Sequence, residues 1–180
     1  FRNGAGSRGV VPPKFNGGLW IHNRDKREWG ARYWHWNTQE SYWPVFAANH
    51  LELHRPYQAM YAGMLPAVKK LTREVWELDG AQYQETIPFN GRMGGWEKER
   101  GVHPRVPVPK HVGHTQLIFS SSAEIAMQFW WVYRYTHDRT FLRERAYPLM
   151  KAVAEFYTGY LQKGDNGYYH MWPSNAPESF

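Results

Sequence analysis

The sequence predicts an all-α domain built from helical hairpins, with long aromatic-rich loops and a short strand near its C-terminal end. The strongest observation is a run of apolar residues at spacings of three and four over residues 142–160, about five helical turns. A shorter run with the same spacing covers residues 125–133, and only a short link at residues 136–138 separates the two. Two amphipathic helices joined by so short a link pack antiparallel, which is the hairpin arrangement.

The N-terminal part of the chain is expected to be irregular before its first helix. Residues 1–19 are rich in glycine and proline and predict an arm or linker. Residues 20–37 hold four tryptophans without a lasting apolar period, which indicates an aromatic-lined loop. Ser41 is the expected N-cap of the first helix, with Pro44 in its first turn, and the helix is expected to end near Leu53.

Two more helices and a long loop follow. Pro56 suits the first turn of the second helix, which Pro66 is expected to interrupt. Apolar residues at helical spacing predict the third helix over residues 68–78. Residues 87–116 contain too many glycines and prolines for a long regular element, so they predict a long loop. Its Trp96 and three histidines favour a functional insertion.

The C-terminal hairpin has recognisable start signals. Ser121 and Glu124 have the spacing of a capping box, in which the serine accepts from the glutamate amide and the carboxylate reaches back. Asp138 is the expected N-cap of the last helix. The breadth of the apolar face over residues 125–133 indicates a helix that is buried on more than one side, as the inner helices of a barrel are.

The end of the last helix is predicted from its glycine and charge pattern. Pro148 is expected to kink this helix. Lys163 suits the negative end of the helix dipole, and Gly164 is expected to close the last turn in a left-handed conformation. The turn over residues 164–167 then leads into a short strand at residues 168–172.

Composition and charge exclude several classes of protein. No apolar run approaches the roughly 20 residues that cross a bilayer, so no membrane partner is expected. The formal charge of +6 arises from 22 basic and 16 acidic residues that are mostly interleaved, which is typical of a solvated surface and does not indicate nucleic-acid binding. The chain has no cysteine, so disulfides, thiolate metal sites and cysteine nucleophiles are excluded, but the compartment stays open.

Motifs for metal, nucleotide and serine-hydrolase chemistry are also missing. His50 and His54 have zinc-compatible spacing, but Glu52 does not stand in the zinc-protease order, so we interpret them as satisfied surface histidines. No phosphate loop, dinucleotide fingerprint or nucleophile elbow occurs in the sequence. We therefore predict no metal and no cofactor. The aromatic content of 17%, with ten tryptophans, instead favours stacking on sugar rings.

Three segments of the sequence carry motifs that are found together in one family. The first is residues 36–44, Trp-Asn-Thr-Gln-Glu-Ser-Tyr-Trp-Pro, preceded by Gly-Leu-Trp at 18–20 and followed by Leu-Glu-Leu-His at 51–54. The second is residues 138–151, Asp-Arg-Thr-Phe-Leu-Arg-Glu-Arg-Ala-Tyr-Pro-Leu-Met-Lys, and the third is residues 173–178, Pro-Ser-Asn-Ala-Pro-Glu. In this order they resemble the catalytic domain of glycoside hydrolase family 95, the inverting α-L-fucosidases and their relatives, in which a Pro-Ser-x-Ser-Pro-Glu loop is similar to the third segment.

The resemblance implies that residues 20–180 are the first part of an (α/α)6 barrel. Twelve helices of about 12 residues with connections of about 6 need roughly 220 residues or more, so the chain is expected to be a fragment. The remainder of the same barrel is its expected partner, because half a barrel exposes apolar helix faces. That remainder is also where the family pattern implies an Asp as general base.

The resemblance further implies three catalytic residues. Glu178 matches the family's general acid, which protonates the leaving oxygen in an inverting reaction. Asn37 matches one of two asparagines that hold the nucleophilic water. Read from the residues alone, Asn37 is equally well explained as a helix cap with Glu40 three residues on. His35 stands at the position of the other asparagine, so the sugar is left open.

Tryptophans next to these positions are the candidate substrate-binding residues. Trp34, Trp36 and Trp172 are candidates to stack on a sugar ring, whereas Trp43 is interpreted as core packing beneath the helix. The expected function is inverting hydrolysis of terminal glycosidic bonds, α-L-fucosidase-like, on a carbohydrate of plant or microbial origin. An extracellular or periplasmic location is favoured. Two alternatives stay open, a sugar phosphorylase of the same barrel type and a non-catalytic glycan-binding helical module.

Overall fold

The computed structural model describes residues 11–12, 32–92 and 114–175. Five helical segments and two small sheets make up this part of the chain: α1 His35–Ala47, α2 Arg55–Trp76, α3 Ser120–Thr136, α4 Arg139–Phe141, α5 Tyr147–Tyr160, and strands β1 Tyr33–Trp34, β2 Thr86–Ile87, β3 Gln162–Lys163 and β4 Tyr169–His170. Short 3-10 turns cover Leu51–His54 and His114–Leu117, and a π-helical turn covers Leu142–Ala146. The prediction of a mainly helical chain is confirmed, while the closed barrel stays a prediction.

The first helix begins seven residues earlier than the sequence predicted. Its N-cap is Trp34 instead of Ser41, and it ends at Ala47, before the turn at Leu51–His54. Pro44 therefore lies inside the helix. The prolyl nitrogen has no hydrogen to give to the carbonyl of Glu40, but Glu40 is exposed to solvent. Water can solvate that carbonyl, so the proline is tolerated there.

The second and third predicted helices are one helix. α2 begins at Arg55 with Pro56 in its first turn, as predicted, but it runs through Pro66 to Trp76. The buried positions continue at helical spacing on both sides of the proline, from Tyr57 through Met64 to Val68. Burial of this continuous face outweighs the cost of the proline, about 3 kcal/mol.

The hairpin formed by α3 and the last helix is confirmed. Asp138 caps α4 as predicted, since its carboxylate accepts from the backbone N–H groups of Thr140 and Phe141 at 2.9 and 3.0 Å. The π-helical turn at Leu142–Ala146 lies in the turn before Pro148. The prolyl nitrogen has no hydrogen to donate to a carbonyl of that turn, and the wider turn occurs where this bond is missing. α3 packs on α1 and α5, and α2 packs on α5.

The chain leaves α5 differently from the prediction. The helix ends at Tyr160, and Lys163 belongs to β3, where it pairs with Tyr169 of β4. Gly164 does not close the helix; the left-handed glycine is Gly167, in the turn between the two strands. Residues 162 and 163 pair with β4 in a hairpin instead of continuing the helix. The predicted short strand is thus present as β4.

The core is aromatic and lies between α1, α2, α3 and α5. It contains the following fully buried side chains: Tyr42, Tyr57, Tyr61, Tyr83, Phe129 and Phe156. An apolar groove of about 480 Å³ stays open between α3 and α5, lined by Ala123, Ala126, Met127, Trp130, Met150, Val153, Ala154 and Tyr157. None of the described helices is long and apolar enough to serve as a membrane span.

Replacing Gly80 by alanine is expected to destabilise the protein strongly. Gly80 has a φ of +98°, and a Cβ there would lie 2.3 Å from the amide nitrogen of Phe156 and 2.5 Å from the carbonyl oxygen of Ala152. These are backbone atoms of α5, so the helix itself would have to shift. The expected loss in free energy of unfolding, measured by urea denaturation, is about 3 kcal/mol.

Gly63→Ala is the matched control for this substitution. Gly63 lies on the exposed face of α2, and an added Cβ would meet no atom within 4 Å. Its replacement is expected to raise the free energy of unfolding by about 0.5–1 kcal/mol. A similar effect of the two substitutions would contradict this account of the close approach between Gly80 and α5.

Candidate active site at the start of the first helix

The sheet formed by β1 and β2 places Glu85 at the start of α1. Tyr33 pairs with Ile87 and Trp34 with Thr86 in antiparallel register. The ladder continues one residue further, since the His35 amide donates to the Glu85 carbonyl oxygen at 2.8 Å. Glu85 is therefore fixed beside the first turn of the helix by backbone hydrogen bonds.

The Glu85 carboxylate is buried and binds two helix starts. Its Oε1 accepts from the Trp36 amide at 2.9 Å, and its Oε2 accepts a short hydrogen bond from the Ser121 hydroxyl at the start of α3. The N-cap residue of α1, Trp34, makes no side-chain cap bond, and no acidic residue occurs in the first turn. Glu85 thus supplies from outside the helix the negative group that the N-terminus of α1 favours.

A second polar cluster lies in the seam between α1, α2 and α3, around His35. The His35 ring is fully buried, and its Nε2 lies 3.0 Å from the Tyr57 hydroxyl. Its Nδ1 lies 3.4 Å from the Glu124 Oε2, which is longer than the 2.7 Å hydrogen bond that Gln39 donates to the same oxygen. Burial keeps the pKa of Tyr57 well above its usual value, so its hydroxyl stays protonated and can donate to Nε2. With Tyr57 donating to Nε2, the ring hydrogen on Nδ1 is directed toward Glu124.

Glu124 is ionised and already has partners. Hydrogen bonding from His35 is the main cause that lowers the pKa of Glu124; Gln39 and Ser120 act in the same direction, and burial opposes them. Because the pKa is lowered in the folded state, the stabilisation exists above about pH 4.5 and is lost as the pH falls through the lowered pKa. A carboxylate with a lowered pKa is a weak base, so Glu124 is not a good candidate for the general base.

The predicted capping box at the start of α3 is wrong. α3 starts at Ser120, and its N-cap residue, Phe119, makes no side-chain cap bond. Ser121 donates to Glu85 instead of accepting from the Glu124 amide, and Glu124 reaches across to α1. Buried partners on neighbouring segments compete successfully for these side chains, because a group that is buried without a partner costs more than a lost cap.

The predicted catalytic residues lie in different surroundings. Asn37 lies in the first turn of α1 and is partly buried. It follows His35 by two residues, which places the two side chains about 200° apart around the helix axis, on different faces. His35 faces the seam, with both ring nitrogens toward protein groups. Glu178 lies outside the described residues. The roles assigned to these three residues stay predictions.

The predicted substrate-binding tryptophans are distributed over two segments. Trp34 is partly buried at the end of β1, whereas Trp36 is 43% exposed on α1. Trp43, which was expected in the core, is exposed and packs edge to face on Trp36, with ring centroids 6.1 Å apart. Positions 36 and 43 lie on one face of α1, away from its buried face, so both rings are exposed to solvent. Trp172 is 58% exposed after β4.

The loop that leads to Glu178 is connected to Glu85 by backbone hydrogen bonds. The Asn175 amide donates to the Leu117 carbonyl oxygen at 2.9 Å, and the Tyr160 hydroxyl donates to the Pro173 carbonyl oxygen at 2.6 Å. Leu117 belongs to the turn whose Thr115 carbonyl accepts from the Glu85 amide at 3.4 Å. Backbone contacts therefore connect residue 175, through this turn, to Glu85.

His50 and His54 do not form a pair, and the prediction that both are surface histidines is wrong for His54. His50 is exposed and contacts Glu52 at 3.0 Å, whereas His54 is buried between Gln58 and Gln128. Across residues 11–12, 32–92 and 114–175, no three His, Cys, Asp or Glu side chains group in a way that could hold a metal ion.

The comparison with known families gives the class of this chain. The family described as glycosyl hydrolase family 95 catalytic domain matches residues 4–180. The chain therefore belongs to this family, and the resemblance found in its motifs is confirmed.

Two curated relatives match parts of the chain. Kojibiose hydrolase of Flavobacterium johnsoniae is 30% identical over 95 residues, which is 52% of this chain and 14% of the relative. Alpha-L-fucosidase 2 of Arabidopsis thaliana is 25% identical over 165 residues, which is 89% of this chain and 18% of the relative. The chain thus spans less than one fifth of the length of either relative.

Acid is expected to destabilise the protein through His54. Burial lowers the pKa of His54 to about 4, against an ordinary value of 6.5. Between these values the unfolded chain binds a proton that the folded chain does not, so stability falls as the pH drops from about 6.5 to 4, by about 3 kcal/mol. Urea denaturation across this range is expected to show a weaker pH dependence for His54→Gln. The exposed His50→Gln variant serves as the control, and identical profiles for the wild type and His54→Gln would contradict the assignment.

Proposed function

We propose that this chain forms the first part of the catalytic domain of an inverting glycoside hydrolase that removes terminal sugar residues. Membership of glycosyl hydrolase family 95 supports this function, and so do the names of the two relatives, both of which are hydrolases or glycosidases by name. An α-L-fucosidase-like reaction is the finer proposal. The sugar is left open, because one relative is named for kojibiose and the other for fucose.

The proposed reaction needs two carboxyl groups on opposite sides of the glycosidic bond. Glu178 is the proposed general acid, which protonates the oxygen of the leaving group. A second carboxylate activates a water on the other face of the sugar, and Asn37 is proposed to hold that water. Glu124 does not fill the second role, since its lowered pKa makes it a weak base. The base is expected in the remainder of the barrel.

The observation that carries the proposal is the series of hydrogen bonds that connects residue 175 to Glu85 and, through Glu85, to the first turn of α1. Glu178 follows Asn175 by three residues, a distance of about 10 Å at full extension. Asn175 is bound to the turn at His114–Leu117, and that turn is bound to Glu85, which caps the helix that carries Asn37. This connection supports a shared cavity for Glu178 and Asn37.

The surroundings of Asn37 suit a carbohydrate. Trp36 and Trp172 are proposed to stack on sugar rings, because both present large exposed faces. Trp34 is proposed to contribute from the partly buried end of β1. His35 has a buried ring, and we propose that it supports the site from inside by holding Glu124 in the seam between α1 and α3. The apolar groove between α3 and α5 is the proposed contact with the remainder of the barrel.

The test is Glu178→Gln in the full-length protein, with a methyl glycoside as substrate. The expected loss in kcat is about 100- to 10,000-fold, because the alkoxide leaving group needs a proton. A 4-nitrophenyl glycoside of the same sugar has a leaving group that needs little protonation, so its hydrolysis is expected to fall much less. Sugar binding, measured by calorimetry, is expected to be retained.

Glu74→Gln is the matched control, since Glu74 is exposed on α2 and pairs only loosely with Lys70, at 3.7 Å. It is expected to leave kcat unchanged. Unchanged turnover of the methyl glycoside in the Glu178→Gln variant would remove Glu178 from the mechanism. Sugar binding without turnover in the wild type would favour the glycan-binding module.

A further inference from the structure

Glu85 holds the start of α1 through both its backbone and its side chain. Its backbone carbonyl accepts from the His35 amide, and its carboxylate accepts from the Trp36 amide. These are the first two amides of the helix, which have no partners within the helix itself. Asn37 is the next residue. One side chain and its own backbone thus fix the position of the turn that presents Asn37.

The same carboxylate also fixes where α1 lies relative to α3. Its second oxygen accepts from the Ser121 hydroxyl, in the first turn of α3. Glu85 is only 2% exposed, so water does not compete for these hydrogen bonds. A shift of the carboxylate would therefore move the first turn of α1 relative to α3 and to the anchored loop at Asn175.

Resting on the proposed function, we propose that Glu85 is a positioning residue for the reaction, which holds Asn37 at the distance from the substrate that the attacking water requires. It does not touch the sugar. Errors of about 1 Å in the position of a catalytic group can cost about 100-fold in rate. Loss of the Glu85 contacts is accordingly expected to lower kcat and to leave ground-state binding of the sugar almost unchanged.

Ser122 provides a matched control for stability. Its hydroxyl accepts from the Tyr83 amide at 2.8 Å and contacts the Tyr83 carbonyl oxygen at 3.2 Å, so it joins α3 to the same segment that carries Glu85. These hydrogen bonds go to Tyr83 and not to α1. Ser122→Ala is expected to lower stability and leave kcat unchanged, which separates a loss of fold from a loss of position.

The experiment uses the full-length protein and compares Glu85→Ala, Glu85→Gln, Glu85→Asp and Ser122→Ala on the methyl glycoside. Glu85→Ala is expected to lower kcat about 100-fold with KM changed less than about threefold. Glu85→Gln retains an oxygen that accepts from Trp36, so it is expected to recover most of the rate. Glu85→Asp keeps the charge but withdraws the carboxylate by one methylene, so it is expected to lower kcat as well. If Glu85→Ala does not fold, the kcat of Glu85→Asp tests the positioning role.

A readout that does not depend on activity accompanies the kinetics. Hydrogen exchange of the peptide that covers residues 35–38, followed by mass spectrometry, is expected to accelerate in Glu85→Ala and Glu85→Asp and to stay unchanged in Ser122→Ala. The inference is overturned if folded Glu85→Ala and Glu85→Asp keep the wild-type kcat, or if Ser122→Ala lowers kcat equally. These results differ from failure of the proposed function, which would show as full turnover in Glu178→Gln.

Discussion

The arrangement of this end of the molecule depends on the hydrogen bonds of one buried carboxylate. Glu85 joins three segments that are distant in the sequence: the strand β2, the first turn of α1 and the first turn of α3. A buried charge of this kind is costly unless its oxygens are satisfied, and here both are. The dependence is mutual. The carboxylate requires the hydrogen bonds from the first turns of α1 and α3, and α1 requires the carboxylate because its own N-cap residue makes no side-chain cap bond.

Periodicity in the sequence predicted the packing of the helices better than their boundaries. The apolar runs of α3 and α5 and the Asp138 cap were found because local sequence decides them. The prolines misled the prediction, since Pro44 and Pro66 lie inside helices whose buried faces continue past them. Tertiary packing contributes more than a single missing hydrogen bond costs, and this contribution is not visible in a local window.

The site could be predicted only where its residues form a motif. Asn37 and the exposed Trp36 were identified from the segment that resembles the family. Glu85 was missed because it has no motif; the one available signal was a lone acidic residue in an otherwise uncharged stretch that proved to be buried. Glu124 was assigned to a local capping box because the sequence cannot show that Gln39, 85 positions earlier, binds it.

We propose that Glu178 and Asn37 line one cavity, on either side of the bond that is cleaved. The most direct measurement is a crystal structure of the full-length protein with a bound sugar or sugar-like inhibitor. The account predicts that the Glu178 carboxyl contacts the glycosidic oxygen or its mimic, with the Asn37 amide on the opposite face of the ring and Trp36 in the wall. It would be contradicted by a sugar bound far from α1, or by Glu178 and Asn37 on opposite sides of the molecule.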